Sequence, residues 1–450
     1  MTDTAVPDGR RGEDDRGGLR ATLGGLTTRG RSFLAAGVAA AVCAYVLGQA
    51  DLLRVGLLLA VLPLLCVLVL HRTRYRVATS RRLTPRRVET GTEARVGLLM
   101  ENVSGLPTGL LMLQDHVPYT LGSRPRFVLD RVEAGGRREV SYRVRSDLRG
   151  RFPLGPLQMR LADPFGLCEL TRSFSSYDTL TVVPRTEALP PVGLLGAAGG
   201  YGDGQQRSLA LAGDDDIIPR AYRHGDDLRR VHWRSTARYG ELMVRREEQP
   251  QRARCTVLLD TREVAHQGAG PDSAFEWAVS GAASALVHML ERGYAVRLLT
   301  DTGSAVPGEG SEGFGGPMQD PADSAGLMMD TLAVIGHSEG AGLSRASDVL
   351  RAGGDGLLVA FLGDLDEEQA ALVGRMRGRT GAAVAFLLDS GAWLTGGSVS
   401  GAVGDRVRQL REAGWTALAV PPGARLADLW QQAAGDGAET AADTPYGGWS

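Results

Sequence analysis

Two aspartates, Asp260 and Asp364, each close a run of apolar residues of strand length, CTVLLD and GLLVAFLGD. A carboxylate at the C-terminal end of a strand either holds a hard cation or caps the helix that follows. His224 and His232 are eight residues apart, so they do not share a helical face, and no acidic third ligand is spaced for zinc. Ser235 follows His232 by three, but the sequence supplies neither an oriented base nor oxyanion donors for a nucleophile. All 50 positively charged side chains are arginine. A nucleotide-binding P-loop, a pyridoxal Schiff base and a Ser-x-x-Lys acyltransferase each require lysine, so these classes are excluded. The glycine-rich stretches near 195–204 and 308–316 have no strand directly before and no helix directly after them, and read as linkers rather than phosphate loops.

The densest charge lies between Arg220 and Arg254, with ten arginines against five acids. Asp226 reads as an N-cap, followed by a helix from about Asp227 to Arg238, a stop at Gly240 and a strand ELMVRRE. Val231 and Trp233 are expected to pack on a domain. The arginines then either pair with Asp226, Asp227 and backbone carbonyls as a clamp or present a docking surface to an acidic partner. Nucleic acid is not the expected partner, because the cluster has no lysine and no interleaved surface aromatics.

These groups must be positioned by a chain of 450 residues, long enough for two or three domains. Residues 1–31 are rich in Gly, Arg and Asp and read as a disordered cytoplasmic tail. Nineteen charge-free residues from Ser32 to Ala50 and sixteen from Val55 to Leu70 are each about one bilayer thickness as a helix. They make a two-helix transmembrane hairpin over 32–71. Arg29 and Arg31 precede it and Arg72, Arg74, Arg76, Arg81 and Arg82 follow, so both termini are expected in the cytoplasm, with the basic stretch against lipid headgroups. Residues 77–185 break into about six short strands and predict a small antiparallel β-sandwich-like domain. Residues 187–216 are Gly-, Pro- and Ala-rich and predict a linker, and 217–254 carry the arginine-rich helix and strand.

From 255 to 434 strands alternate with helices, the pattern of a doubly wound α/β domain. Residues 302–321 read as a flexible insert and 435–450 as a flexible tail. Residues 255–450 hold 12 arginines against 25 acids, whereas residues 1–254 hold 38 against 27, so the front half is basic and the back half acidic. The four cysteines show no Cys-x-x-Cys spacing and support neither disulfides nor zinc.

The spaced residues Arg220, Tyr222, Gly225, Asp226, Arg229, His232, Trp233, Ala237 and Arg238 closely resemble the signature of the bacterial domain of unknown function family number fifty-eight. The stretch RGRFPLGPLQMRLADPFGL, ending in Asp163-Pro164-Phe165-Gly166-Leu167, resembles its second hallmark. The resemblance covers roughly 30–430. It implies a C-terminal domain similar to the von Willebrand factor A fold. It also implies partnership with MoxR-type AAA+ ATPases and sometimes with transglutaminase-like membrane proteins. Such a domain often carries a magnesium site built on Asp-x-Ser-x-Ser, with a partner's carboxylate completing the ion's shell. Here Asp260 and Asp364 match in position, but Arg262 and Val264 stand where the hydroxyls should be. The site therefore reads as degenerate, and no cofactor is expected. The expectation is a membrane-anchored cytoplasmic adaptor, not an enzyme, with a membrane-tethered hydrolase using His232 and Asp226 as the competing reading and a nucleic-acid tether as a third.

Overall fold

The computed structural model describes residues 25–74, 77–103, 105, 107–163, 165–192, 219–222, 231, 233–245, 253–307, 321–352 and 356–442. The chain divides into two compact units, Met1–Val182 and Val183–Ser450.

The first unit opens with two helices long and apolar enough to cross a membrane, α1 (Thr28–Leu47) and α2 (Ala50–Arg74). Helix α1 starts four residues before its charge-free run, because the Thr27 side chain accepts from Gly30 N and caps it. The two helices pack closely where each carries a glycine. A Cβ on Gly37 would stand 2.6 Å from Ala60 N, and one on Gly56 2.8 Å from Ala41 N, so only glycine permits this approach.

Ten strands follow, where the turn signals suggested about six: β1 (Val77–Thr84), β2 (Arg87–Glu89), β3 (Glu93–Asn102), β4 (Leu110–Asp115), β5 (Arg126–Leu129), β6 (Arg137–Arg145), β7 (Gly150–Leu154), β8 (Leu157–Ala162), β9 (Glu169–Phe174) and β10 (Asp178–Val183). They form three sheets, ordered β1-β3-β6, β2-β10-β7 and β5-β4-β8-β9. Strand β3 shows why: its alternating residues Ala94, Val96, Leu98 and Met100 are buried, as period-two apolar spacing requires of a strand with one wet face.

The second unit begins with residues that the linker reading had left loose. The Glu187 carboxylate is paired with Arg425 at 2.9 Å and accepts from Leu426 N at 3.0 Å, while Leu189 joins the core. Residues 193–216 of that linker lie outside the described residues. A small ladder pairs β11 (Pro219–Ala221) with β12 (Met243–Arg245), with helix α3 (Trp233–Tyr239) between them in sequence.

The α/β domain comprises β13 (Arg254–Leu259), α4 (Ala274–Glu291), β14 (Ala295–Thr300), β15 (Ala305–Val306), α5 (Pro321–Val334), α6 (Ser344–Ala352), β16 (Leu357–Leu362), α7 (Glu367–Met376), β17 (Ala382–Leu388), α8 (Ser390–Thr395), α9 (Gly401–Glu412), β18 (Thr416–Val420) and α10 (Leu426–Ala442). Its sheet runs β15-β14-β13-β16-β17-β18, parallel except for the short antiparallel edge β15. Strands β13, β16 and β17 are buried almost throughout, because helices cover both faces. Two apolar cores result, one on each face. The expected flexible tail from 435 is corrected in part: α10 continues to Ala442, since Leu429, Trp430 and Ala433 bury one side of it. Of the expected insert 302–321, residues 308–320 lie outside the described residues, and Ala305–Val306 is the edge strand.

Candidate functional site

The chemistry-bearing side chains of the second unit gather at the C-terminal ends of its parallel strands. In an open α/β sheet this is where a crevice forms, between the strands at which the order reverses, here β13 and β16. Asp260 follows β13 and is fully buried. Its Oδ1 accepts from Arg262 Nε at 2.9 Å and its Oδ2 from Arg262 Nη2 at 2.7 Å, a bidentate pair. Arg262 N and Gly363 N complete the carboxylate at 3.1 and 3.2 Å. The guanidinium is itself 3% exposed, and its remaining bonds go to the Ala341 and Asp364 carbonyls. Burial pulls its pKa down, but the bonds to Asp260 outweigh that and hold it above the ordinary arginine value.

Asp364 follows β16 and lies beside this pair. Its carboxylate accepts from Ser390 N at 3.3 Å and from the Ser390 hydroxyl. Two further strand-end carboxylates went unremarked in the sequence, although each closes an apolar run as Asp260 does. Asp301, after β14, accepts from Thr261 N at 2.9 Å, from the Thr261 hydroxyl and from Ser338 Oγ at 2.6 Å. Asp389, after β17, accepts from Ala392 N at 2.9 Å and Ser400 N at 2.6 Å. Burial alone would raise the Asp389 pKa, yet these backbone donors hold it below the usual carboxylate range.

A magnesium site does not fit these residues. The position where an ion would meet Asp260 is filled by the Arg262 guanidinium, and Val264, at the second hydroxyl position, is 69% exposed. Among the described residues no group of three or more His, Cys, Asp or Glu is placed to hold a metal ion. Asp260 and Asp364 are thus ends of an internal clasp that joins the β13, β14, β16 and β17 loops.

His266 lies against the same clasp. Its Nε2 is 2.9 Å from the Asp260 carbonyl, an acceptor, so Nε2 carries a proton. The ring packs edge-on to Phe275 at 5.2 Å and beside His337 at 5.9 Å. Burial lowers its pKa, and Asp260 only partly offsets this. Below about pH 6.5 the unfolded chain therefore takes up a proton that the folded chain refuses. The melting temperature should fall as pH drops from about 6.5 toward the lower folded pKa. That slope should shrink in His266→Phe, leaving the part owed to His288, which burial also depresses. An unchanged slope in the variant would show that His266 titrates alike in the folded and unfolded chains.

The arginine-rich segment is built differently from its sequence expectation. Arg220 lies on β11 opposite Val244, and Tyr222 N donates to Leu242 O at 2.8 Å. Val231 is buried but sits in a β-bridge, and a helix runs over Trp233–Tyr239; residues 227–230 of the expected helix lie outside the described residues. Thr236 Oγ1 accepts from Met243 N at 3.1 Å and fixes α3 to β12. Trp233, expected to be packed, is 71% exposed, and Ala237, Arg238 and Tyr239 are exposed as well. A helix of seven residues has room for few inward positions, and among its described side chains Thr236 is the half-buried one. Gly225, Asp226, Arg229 and His232 lie outside the described residues.

Residues 219–315 match the family model described as protein of unknown function DUF58. No curated protein matches the chain. Among solved structures, the chain is similar to the CARDB domain of a Pyrococcus furiosus protein, at 10% identity over 24% of this chain and 94% of that one, with a TM-score of 0.19. It is also similar to the ApaA protein from Bordetella pertussis, at 12% identity over 24% and 94%, with a TM-score of 0.19. The sporulation control protein Spo0M from Bacillus subtilis is similar at 11% identity over 33% and 58%, with a TM-score of 0.16.

Proposed function

From a chain whose residues 219–315 match the DUF58 family model, we propose a non-catalytic adaptor, anchored in the plasma membrane and docking a MoxR-type AAA+ ATPase through its second unit. The hairpin α1–α2 would be the anchor, with both termini cytoplasmic by the arginine count on its flanks. The second unit would be a von Willebrand factor A-like module that has lost its metal. Its strand order, with one antiparallel edge strand beside five parallel ones, supports that reading. The partner class comes from the family resemblance.

The observation that carries the docking role is the exposure of Trp233 at 71%, Tyr239 at 64% and Leu242 at 41% inside the matched segment. Exposed Trp and Tyr next to arginines such as Arg238 are the composition of an interface centre, not of a solvated face. Trp233→Ala should therefore weaken ATPase binding by about 2 kcal/mol, roughly thirtyfold in Kd. The same change should leave folding stability within about 0.5 kcal/mol, since little of the indole is buried. Arg238→Glu should add a loss that diminishes at high salt. Co-purification of the ATPase with the tagged full-length chain from membranes measures both. Equal recovery with wild type and both variants would remove this surface from the interface.

A further inference from the structure

One end of the β domain lies against the hairpin, and large apolar side chains are among those it exposes there. Thr27 N donates to Leu167 O at 3.0 Å, the Thr27 hydroxyl to Gly166 O at 2.7 Å, and Glu169 N to Gly25 O at 2.8 Å, while Leu26 bridges to Cys168. A Cβ on Gly30 would stand 2.1 Å from Leu167 O, so the first turn of α1 touches the β8–β9 loop backbone to backbone. Asp163 holds that loop by accepting from Phe165 N at 3.1 Å and Cys168 N at 2.6 Å. From the other helix, Leu62, Cys66 and Val67 pack with Val132, Leu167, Cys168 and Leu170 in one apolar cluster.

This contact lies at a definite depth. The apolar window of α2 runs from Ala50 to Val69. At a rise of about 1.5 Å per residue, Cys66 is about 4.5 Å and Leu62 about 10 Å inside its end. The loop 163–168 is therefore level with the last two turns of the candidate span. The β3–β4 connection shares this end: the Asn102 side chain donates to Val132 O and Glu133 O, and Leu110 pairs with Ala162. Here Phe165 is 61%, Val103 64% and Leu110 49% exposed. Of the arginines at this end, Arg131, Arg137 and Arg160 are paired with Glu133, Glu101 and Glu169, while Arg29 and Arg31 stand exposed on the first turn of α1. The exposed apolar side chains thus stand among charged ones, the mixture that suits a boundary between headgroups and acyl chains.

We propose that this end of the β domain is an interfacial wedge, seated in the bilayer with Phe165 and Val103 entering the boundary between headgroups and acyl chains. Its partner is the lipid surface into which the hairpin inserts, and the proposal rests on the hairpin spanning that bilayer. An aromatic and a branched aliphatic side chain beside the ends of two spans suit the interface, where apolar area is buried while neighbouring arginines keep to the headgroups. The domain then stands on three contacts, α1, α2 and the wedge, and is held to the surface instead of swinging on its connections.

Nitroxide depth measurement tests this on the full-length protein in phosphatidylcholine–phosphatidylglycerol vesicles. Cys43 is exposed on α1, whereas Cys66, Cys168 and Cys255 are buried. Wild type is labelled at Cys43; Phe165→Cys, Val103→Cys and Tyr119→Cys are labelled in a Cys43→Ala background, which alone sets the residual labelling. Tyr119 is 91% exposed beyond Asp115, at the opposite end of β4. Labels at 165 and 103 should collide with oxygen in preference to an aqueous nickel chelate, at a depth shallower than Cys43, while the label at 119 should favour nickel. Nickel preference at 165 and 103 with oxygen preference at Cys43 would overturn the wedge and leave the hairpin standing. Nickel preference at Cys43 would remove the bilayer, and the wedge with it. Should Phe165→Cys fail to fold, the label at 103 decides by the same criterion.

Discussion

Replacing Arg262 by alanine should destabilise the α/β domain by about 3–5 kcal/mol, because the change leaves Asp260 as a buried charge with no counter-charge. Water cannot take over: Asp260 is fully buried, and two of its four donors belong to the Arg262 side chain. Arg262→Lys should recover little, since an ammonium cannot reproduce two parallel N–H bonds or reach the Ala341 and Asp364 carbonyls at once. The double change Arg262→Ala with Asp260→Ala should be less damaging than the sum of the single changes, because neither charge is then stranded. Thermal unfolding followed by tryptophan emission reads this unit, which contains Trp277, Trp393, Trp415 and Trp430. A melting temperature unchanged by Arg262→Ala would mean that Asp260 finds another cation, and the metal reading would return.

Asp115→Ala should cost the β domain a similar amount, about 3–5 kcal/mol. The Asp115 side chain is 0% and the Arg81 side chain 3% exposed. Arg81 Nη2 and Nε donate to Asp115 at 2.6 and 3.2 Å, Nη1 to Leu154 O at 3.0 Å and to Asp178 at 3.3 Å. The Tyr142 hydroxyl donates to Asp115 at 2.6 Å. Burial and the neighbouring carboxylate push the Tyr142 pKa far up, so it remains a donor at any physiological pH. Arg81 comes from β1, Asp115 from β4 and Asp178 from β10, so this one ion cluster ties together three sheets. Tyr142→Phe should cost only about 1–2 kcal/mol, the loss of a single bond to a charged acceptor. Replacing Arg81, Asp115 and Tyr142 together by Met, Leu and Phe should be close to neutral, since a buried ion pair of this kind contributes little net stability over an apolar fill and the Tyr142 hydroxyl is then not stranded. Chemical denaturation of the full-length protein in detergent measures all three, and a neutral Asp115→Ala would show that water reaches the cluster.

The sequence by itself determined the elements whose stability is local. Two charge-free runs made the hairpin helices legible, because apolar length is a property of the segment alone. The alternation of apolar strands and amphipathic helices after Arg254 likewise foretold the α/β domain, and the spaced motif from Arg220 to Arg238 foretold the family model that residues 219–315 match. Tertiary structure decided which side chains cover one another. The Trp233 indole was expected inside and is outside, because hydrophobicity states what burial is worth but not whether a neighbour stands in place to provide it. Arg262 looked like a flaw in a metal site and is the counter-charge of that site. Its role depends on Gly363 and Asp364, which follow β16 about one hundred residues on, and on Ala341, in the connection between α5 and α6, 79 residues on. Arg81 was read as one more positive charge behind the hairpin, yet it is buried between partners 34 and 97 residues distant. A charge in a sequence carries its sign but not its solvent exposure; the folded contacts set exposure, and with it whether that charge faces lipid headgroups or locks a core.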